Sequence, residues 1–315
     1  MKLASKVSLI ALALSASSAF AADLSTLKAP VVAAPSPTWT GFHAGLNAGA
    51  TWGNNMAPNG RTWNMWSGND PLTIDRVSQM LLSGSSGTSG SVGFIGGGQV
   101  GYDWQFPVSG MGFVIGVEAD IQGVAGAGNN LNRGLAAPGA GVDFGEVFNA
   151  GSVIFSNQQI SSNLNWLGTV RGRLGYLVTP ALLLYGTGGL SYGQVSGSMQ
   201  NNQAWTDTGT GKGQLNNWYD VYGRHSYSNT QVGWTAGGGV EWMFMQNWSA
   251  KAEYLYYDLG NITGTVWNPG VSQYAAIGNA LQSVTTYSGR VSGNIVRAGV
   301  NYHFNFAGAP VVAKF

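Results

Sequence analysis

The sequence predicts an all-β protein: an eight-stranded antiparallel up-and-down transmembrane β-barrel with four long extracellular loops and three short periplasmic turns. Three observations predict it. Eight windows alternate apolar and polar residues with period two. The connections between these windows alternate short and long. Nearly all charged residues in the windows fall on the face opposite the apolar one. Composition narrows the field further. Only 9 % of the 315 residues are charged, where a soluble domain carries about a quarter. With 12 Trp, 13 Tyr and 12 Phe, the chain is no charge-solvated disordered polymer. The absence of cysteine excludes a disulfide scaffold and a thiolate metal site. Balanced charge excludes a broad nucleic-acid surface. After residue 22 no run reaches the ~20 apolar residues of a spanning helix.

Taken in chain order, residues 1–21 read as a secretory signal peptide. Lys2 and Lys6 form its basic region and residues 7–16 its apolar stretch. Ala19-Phe20-Ala21 fits the small-x-small rule, which places cleavage between Ala21 and Ala22. Losing both lysines takes the formal net charge from +1 to −1. Residues 22–38, small and proline-rich, read as a periplasmic tether. The barrel is expected over 39–306 and a periplasmic tail over 307–315.

The first strand window, 39–52, sets Phe42, Ala44, Leu46, Ala48 and Trp52 against His43, Asn47 and Thr51. Windows 91–106 and 111–126 repeat the pattern, with Val100, Tyr102 and Trp104 opposite Gln99 and Asp103, then Ile115, Val117 and Ile121 opposite Glu118 and Asp120. In 163–178, Val170, Leu174 and Tyr176 oppose Thr169, Arg171 and Arg173. Window 182–198 is less regular. In 230–245 and 248–264, Val240, Trp242 and Phe244 oppose Glu241, and Ala252 and Tyr254 oppose Lys251 and Glu253. The last window, 289–304, sets Val296, Val300, Tyr302 and Phe304 against Arg297, Asn301 and His303.

Three connections have two to four residues and four have 24 to 38, in strict alternation. A transmembrane barrel requires that pattern, with tight periplasmic turns and long outer loops. Nine charges share the polar face: Asp103, Glu118, Asp120, Arg171, Arg173, Glu241, Lys251, Glu253 and Arg297. Turned to lipid at mid-depth, an Arg or Lys costs ~2–4 kcal/mol. All nine lie near the short-turn ends of their strands, so they are expected to form one ion-paired collar. Eight strands enclose little more than their own side chains, which favours a plugged lumen over a selectivity filter. Glycine runs at 96–98, 188–189 and 237–239 give curvature and room for long side chains. Trp39, Phe42, Trp104, Phe106, Phe113, Tyr176, Trp242, Phe244, Trp248, Tyr302 and Phe304 are expected in a periplasmic-side aromatic girdle.

No nucleophile–base arrangement points to catalysis. The three histidines are His43, His225 and His303. Parity places His43 and His303 in the lumen on the first and last strands, which are neighbours in a closed barrel. That pair is a weak candidate for a metal or haemin iron, and polar filling is the favoured reading without a third ligand. Trp63, Met65 and Trp66 in the first long loop, and Trp205, Trp218, Tyr219, Tyr222 and Tyr227 in the third, are candidate binding anchors. Packing between loops and against lipopolysaccharide is favoured for them.

The segments Trp-Thr-Gly-Phe (39–42), Gly-Val-Glu-Ala-Asp (116–120) and Trp-Leu-Gly-Thr-Val-Arg-Gly-Arg-Leu-Gly-Tyr (166–176) resemble the Omp25/Omp31-like small outer-membrane barrels of alphaproteobacteria. So do Gly-Gly-Gly-Val-Glu (237–241), Lys-Ala-Glu-Tyr-Leu-Tyr (251–256) and Val-Arg-Ala-Gly-Val-Asn-Tyr-His-Phe (296–304). The resemblance implies an abundant structural or porin-like surface barrel in the outer membrane, and haemin binding in some members. Barrels of this kind end on an aromatic residue read by the assembly machinery. Here Phe304 closes the last strand while Phe315 ends the chain, and either fits that signal. The expected function is a structural surface barrel that needs no cofactor. A low-conductance porin for small solutes is the alternative, and a loop-borne receptor or adhesin the third reading.

Overall fold

The computed structural model describes residues 38–53, 59–64, 91–108, 111–138, 153–206, 218–268 and 283–304. The expected signal peptide with its Ala21–Ala22 cleavage site, most of the tether, and the tail with Phe306 and Phe315 lie outside these residues.

Ten antiparallel strands are present among the described residues, and eight of them form a ring. In chain order these eight are β1 (Gly41–Gly53), β3 (Gly93–Val108), β4 (Met111–Ala125), β6 (Val153–Thr179), β7 (Leu182–Thr206), β8 (Trp218–Met245), β9 (Trp248–Asn268) and β10 (Ser283–Phe304). Each pairs with the next. β10 returns to β1 in a continuous register from Phe42↔Phe304 to Gly53↔Gly293, which closes the circle. From the short turns up to the Trp234↔Asp258 pair, closure leaves no unpaired edge among the described residues, as hydrocarbon demands of any sheet that crosses it.

Burial is inverted relative to a soluble protein. Leu46 is 73 % exposed and Val232 66 %, whereas Arg171 and Arg297 are 1–2 % exposed. The apolar stripes therefore face outward and the ionic ones inward. That arrangement is stable only where the outer solvent is itself apolar.

Two features depart from the expected eight strands. β2 (Asn59–Asn64) pairs with β10, and β5 (Gly128–Pro138) pairs with β6, both within stretches expected to be loops. The strands of the second half also run farther toward the long-loop end than expected. β8, for instance, starts at Trp218 rather than near 230. Bulges explain why. The register shifts between Leu164 and Trp166 and between Arg290 and Ser292. A bulge inserts one residue and exchanges inward and outward positions beyond it. In β6 the buried positions are Leu167, Thr169, Arg171 and Arg173 below the bulge, but Gln158, Ile160, Ser162 and Leu164 above it. Gly260, at φ +79°, makes a similar break in β9 and donates its N–H to Asp258 Oδ1 at 2.9 Å.

Above the Trp234↔Asp258 pair, β8 continues on β7 and β9 continues on β10. Ile160 and Met199 of one sheet meet Val266 and Tyr287 of the other there, with Tyr227 against them.

Candidate lumen site

The lumen is filled in three layers. At the short-turn end Trp39 turns inward, fully buried, with Val114, Leu177, Leu183, Tyr185 and Met243 around it. Its indole Nε1 donates to the Pro180 carbonyl at 3.1 Å, and its backbone N–H to Gln105 Oε1 at 2.9 Å. The ring meets His303 edge to face, with centroids 5.6 Å apart. This corrects the expectation that Trp39 belongs to the outer aromatic rim. Odd positions of β1 point inward (His43, Asn47 and Thr51 are buried), and Trp39 continues that series to the floor.

Above the floor lies the charged layer, and all nine predicted charges are in it, each at most 5 % exposed. Arg173 forks onto Asp103, its Nε donating to Oδ1 at 2.7 Å and its Nη2 bonding Oδ2, while Nη1 reaches Glu241 Oε2 at 2.9 Å. Arg171 donates to Glu118 Oε1 at 2.6 Å, Asp120 Oδ2 at 3.0 Å and Glu253 Oε1 at 2.8 Å. Lys251 Nζ caps both oxygens of Glu118 at 2.8 and 2.9 Å. Arg297 joins Glu253 Oε2 to Asp120 Oδ2. Neutral groups take up the remaining carboxylate valences. Thr169 donates to Asp120, Tyr185 to Glu253, and both Ser249 and Asn301 to Glu241. The Arg173 guanidinium also lies 5.5 Å from the centre of the Tyr185 ring. A buried ion is tolerated when it is paired and its other hydrogen-bonding sites are satisfied. Every charge of this layer is paired, and among the described residues Arg297 Nη1 is its one charged-group nitrogen left without a hydrogen-bond partner.

Glycines make the room. A Cβ at Gly116 would collide with Asp103 Oδ1, and one at Gly101 with the His43 ring. Their lack of a side chain lets the fork and the imidazole lie flat against the wall.

His43 and His303, expected as lumen neighbours, are directly opposed across the β1–β10 seam with ring centroids 5.5 Å apart. Asp103, a residue the spacing did not link to them, stands 3.2 Å from His43 Nδ1. Glu118 lies 3.4 Å from His43 Nε2. His303 Nε2 meets Ser249 Oγ at 2.9 Å and Glu241 Oε1 at 3.5 Å. His225 is elsewhere, beside Tyr287 at the long-loop end. Above the charges an apolar layer of Ile95, Leu167, Leu255, Tyr257, Leu259 and Ile295 closes the lumen again.

On the outer wall the rim aromatics form contacting pairs: Phe42–Tyr102, Phe113–Tyr176, Trp242–Phe244, Trp248–Tyr302 and Tyr302–Phe304. Trp104 stacks on Tyr102, and Phe106 is part-exposed on the same face. A second ring, missed in the sequence, consists of Trp166–Tyr192 and Trp234–Tyr256 with Phe94 and Tyr254. The signal for it was present as aromatics on outward positions about six to ten residues up five of the strands. That spacing corresponds to an apolar band of roughly 25 Å. Asp258 and Arg290, charges of the sequence windows that are off the polar face, pair with each other, and Asp258 is in register with Trp234 of this ring.

The candidate loop anchors among the described residues are strand residues. Trp63 of β2 pairs in register with Val284, Trp205 with Tyr219, and Trp218 with Thr206. Tyr222 is exposed, and Tyr227 packs on Tyr287. Met65 and Trp66 lie outside the described residues.

A family model described as an outer membrane protein beta-barrel domain matches residues 8–304. The 31 kDa outer-membrane immunogenic protein of Brucella melitensis is 32 % identical over 93 % of this chain and 96 % of its own length. The 22 kDa outer membrane protein of Rhizobium leguminosarum bv. viciae is 32 % identical over 33 % of this chain and 37 % of its own. Among solved structures, OprG of Pseudomonas aeruginosa covers 85 % of this chain and 99 % of its own at 10 % identity and a TM-score of 0.31. Ail of Yersinia pestis covers 82 % and 99 % at 12 % identity and a TM-score of 0.23. With a family match across the whole ring and a Brucella relative aligned nearly end to end, the chain belongs to the outer-membrane β-barrel proteins of the Omp25/31 type.

Proposed function

We propose that the protein is a structural barrel of the outer membrane with a closed, ion-paired lumen. One observation carries this reading: five carboxylates and four basic side chains cross-link one another inside the ring, between an apolar floor and an apolar ceiling. A permeation path needs water along it, whereas these side chains, Arg297 Nη1 apart, satisfy one another. In an eight-stranded barrel the wall is too tight to accommodate both the network and a channel.

In this reading residues 1–21 direct export and are cut after Ala21. The tether, short turns and tail lie in the periplasm, and the long-loop end faces outward. The two aromatic rings contact lipid and the lipopolysaccharide boundary, and the aromatic end of β10 or of the tail engages the barrel assembly machinery. The word "immunogenic" in the name of the Brucella relative supports an exposed position at the cell surface. No catalytic role is assigned to Glu118 and Asp120, because arginines hold both carboxylates.

Liposome swelling tests the reading. Vesicles carrying the refolded protein are expected to remain as impermeable to small sugars and amino acids as empty ones. Swelling above that background would favour a small-solute porin. Ligand capture by whole cells that fails on deletion of a long loop would favour a receptor or adhesin.

A further inference from the structure

We infer that His43, Asp103 and His303 form a binding site for a divalent transition-metal ion of the zinc class, placed across the seam where the first and last strands join. Three observations meet here. First, one ligand atom from each residue lies within 4.8 Å of the other two, and all three residues are buried. Ligands of a zinc ion sit about 2.0–2.2 Å from the metal and so roughly 3.4 Å from one another, so rotations closing about an ångström complete the set. Second, His43 Nδ1 is buried and out of line for a hydrogen bond with Asp103, which leaves it without a hydrogen-bond partner. Third, the charged layer holds five carboxylates against four basic side chains, and both histidines touch carboxylates of that layer. A divalent cation at this point more than offsets that single surplus negative charge.

The surroundings fit a metal rather than a larger group. Glu118 faces His43 Nε2, while Ser249 and Glu241 face His303 Nε2. Such outer carboxylates hold ligating imidazoles in orientation. Arg173 binds the same Asp103 carboxylate, whose two oxygens offer about four acceptor positions, enough for the fork and a metal together. Trp39 lies against His303 and seals the cluster below, so the enclosure admits a bare ion and excludes a planar macrocycle. The three ligands come from β1, β3 and β10. A bound ion would therefore fasten the closing strand pair to its neighbour and stabilise the closed ring by mass action.

The test uses the untagged protein refolded in detergent with Zn²⁺, Co²⁺ or Cu²⁺ present. The expected result is one ion retained per folded chain after free metal is removed. Co²⁺ should give visible d–d absorption, and Cu²⁺ an electron paramagnetic resonance spectrum with coupling to two imidazole nitrogens. His43→Gln and His303→Gln, checked for folding by heat-modifiable gel migration, should each bind Zn²⁺ at least about tenfold more weakly, while His225→Gln binds as the parent does. Absence of stoichiometric retention, a copper spectrum without nitrogen coupling, or unchanged Zn²⁺ affinity in both His43→Gln and His303→Gln would overturn the inference. The spectra of the parent protein decide the matter if a variant fails to fold.

Discussion

Arg171 on β6 and Glu253 on β9 stand three strands apart around the ring, yet their side chains meet at 2.8 Å across its interior. A contact that spans the barrel occupies part of its cross-section, which supports the closed-lumen proposal. Glu253 also receives Arg297 and Tyr185, so one carboxylate joins three walls. Glu253→Gln is therefore expected to leave two guanidiniums short of their partner. Removing one member of a buried pair costs about 3–5 kcal/mol. Urea unfolding of the refolded barrel measures it, and a loss within 1 kcal/mol would mean that water screens the network.

Trp39→Ala should destabilise by roughly 3–5 kcal/mol, the range for deleting a buried tryptophan. Because the charged layer and the ceiling remain, the variant should still not conduct. A small effect on unfolding would place Trp39 back on the outer wall.

The lipid face gives a depth-dependent prediction. Val170, half-exposed between Trp166 and Tyr176 on β6, should lose ~2–4 kcal/mol as Val170→Arg. Met245→Arg, at the short-turn rim, should lose only about 0–1 kcal/mol. Equal costs at both positions would contradict the assigned membrane band.

Gly116→Ala drives a methyl group into the Asp103–Arg173 fork and should cost about 1–3 kcal/mol. Gly123→Ala, seven residues farther along the same strand with only a backbone oxygen at 4.0 Å, is the control and should be near neutral. Similar effects from both would mean that the fork yields freely.

Much of this fold was legible because lipid enforces a simple rule on each strand. Arg171 and Arg173, or Lys251 and Glu253, can lie two apart only if both face away from hydrocarbon, so their parity reveals the lumen. The same parity placed His43 and Trp39 on one side of β1. Trp39 was nonetheless expected on the rim, because an aromatic at a strand end is the usual girdle residue and residue type outweighed phase. Beyond the bulges at Leu164 and Arg290 the phase reverses, so a single alternation could not follow β6 or β10 to their ends. Asp103 as the third member of the histidine cluster was hidden for another reason. It lies on β3, the next strand of the ring, and the register that sets it beside His43 spans a long connection, 60 residues in the chain, that alternation alone does not fix.

Planar-bilayer recording on the refolded protein bears most directly on the central claim, that the interior is occupied by its own charges. Membranes holding verified folded barrels should show no discrete current steps in molar salt at moderate voltage. Reproducible ohmic steps that scale with protein concentration would contradict it.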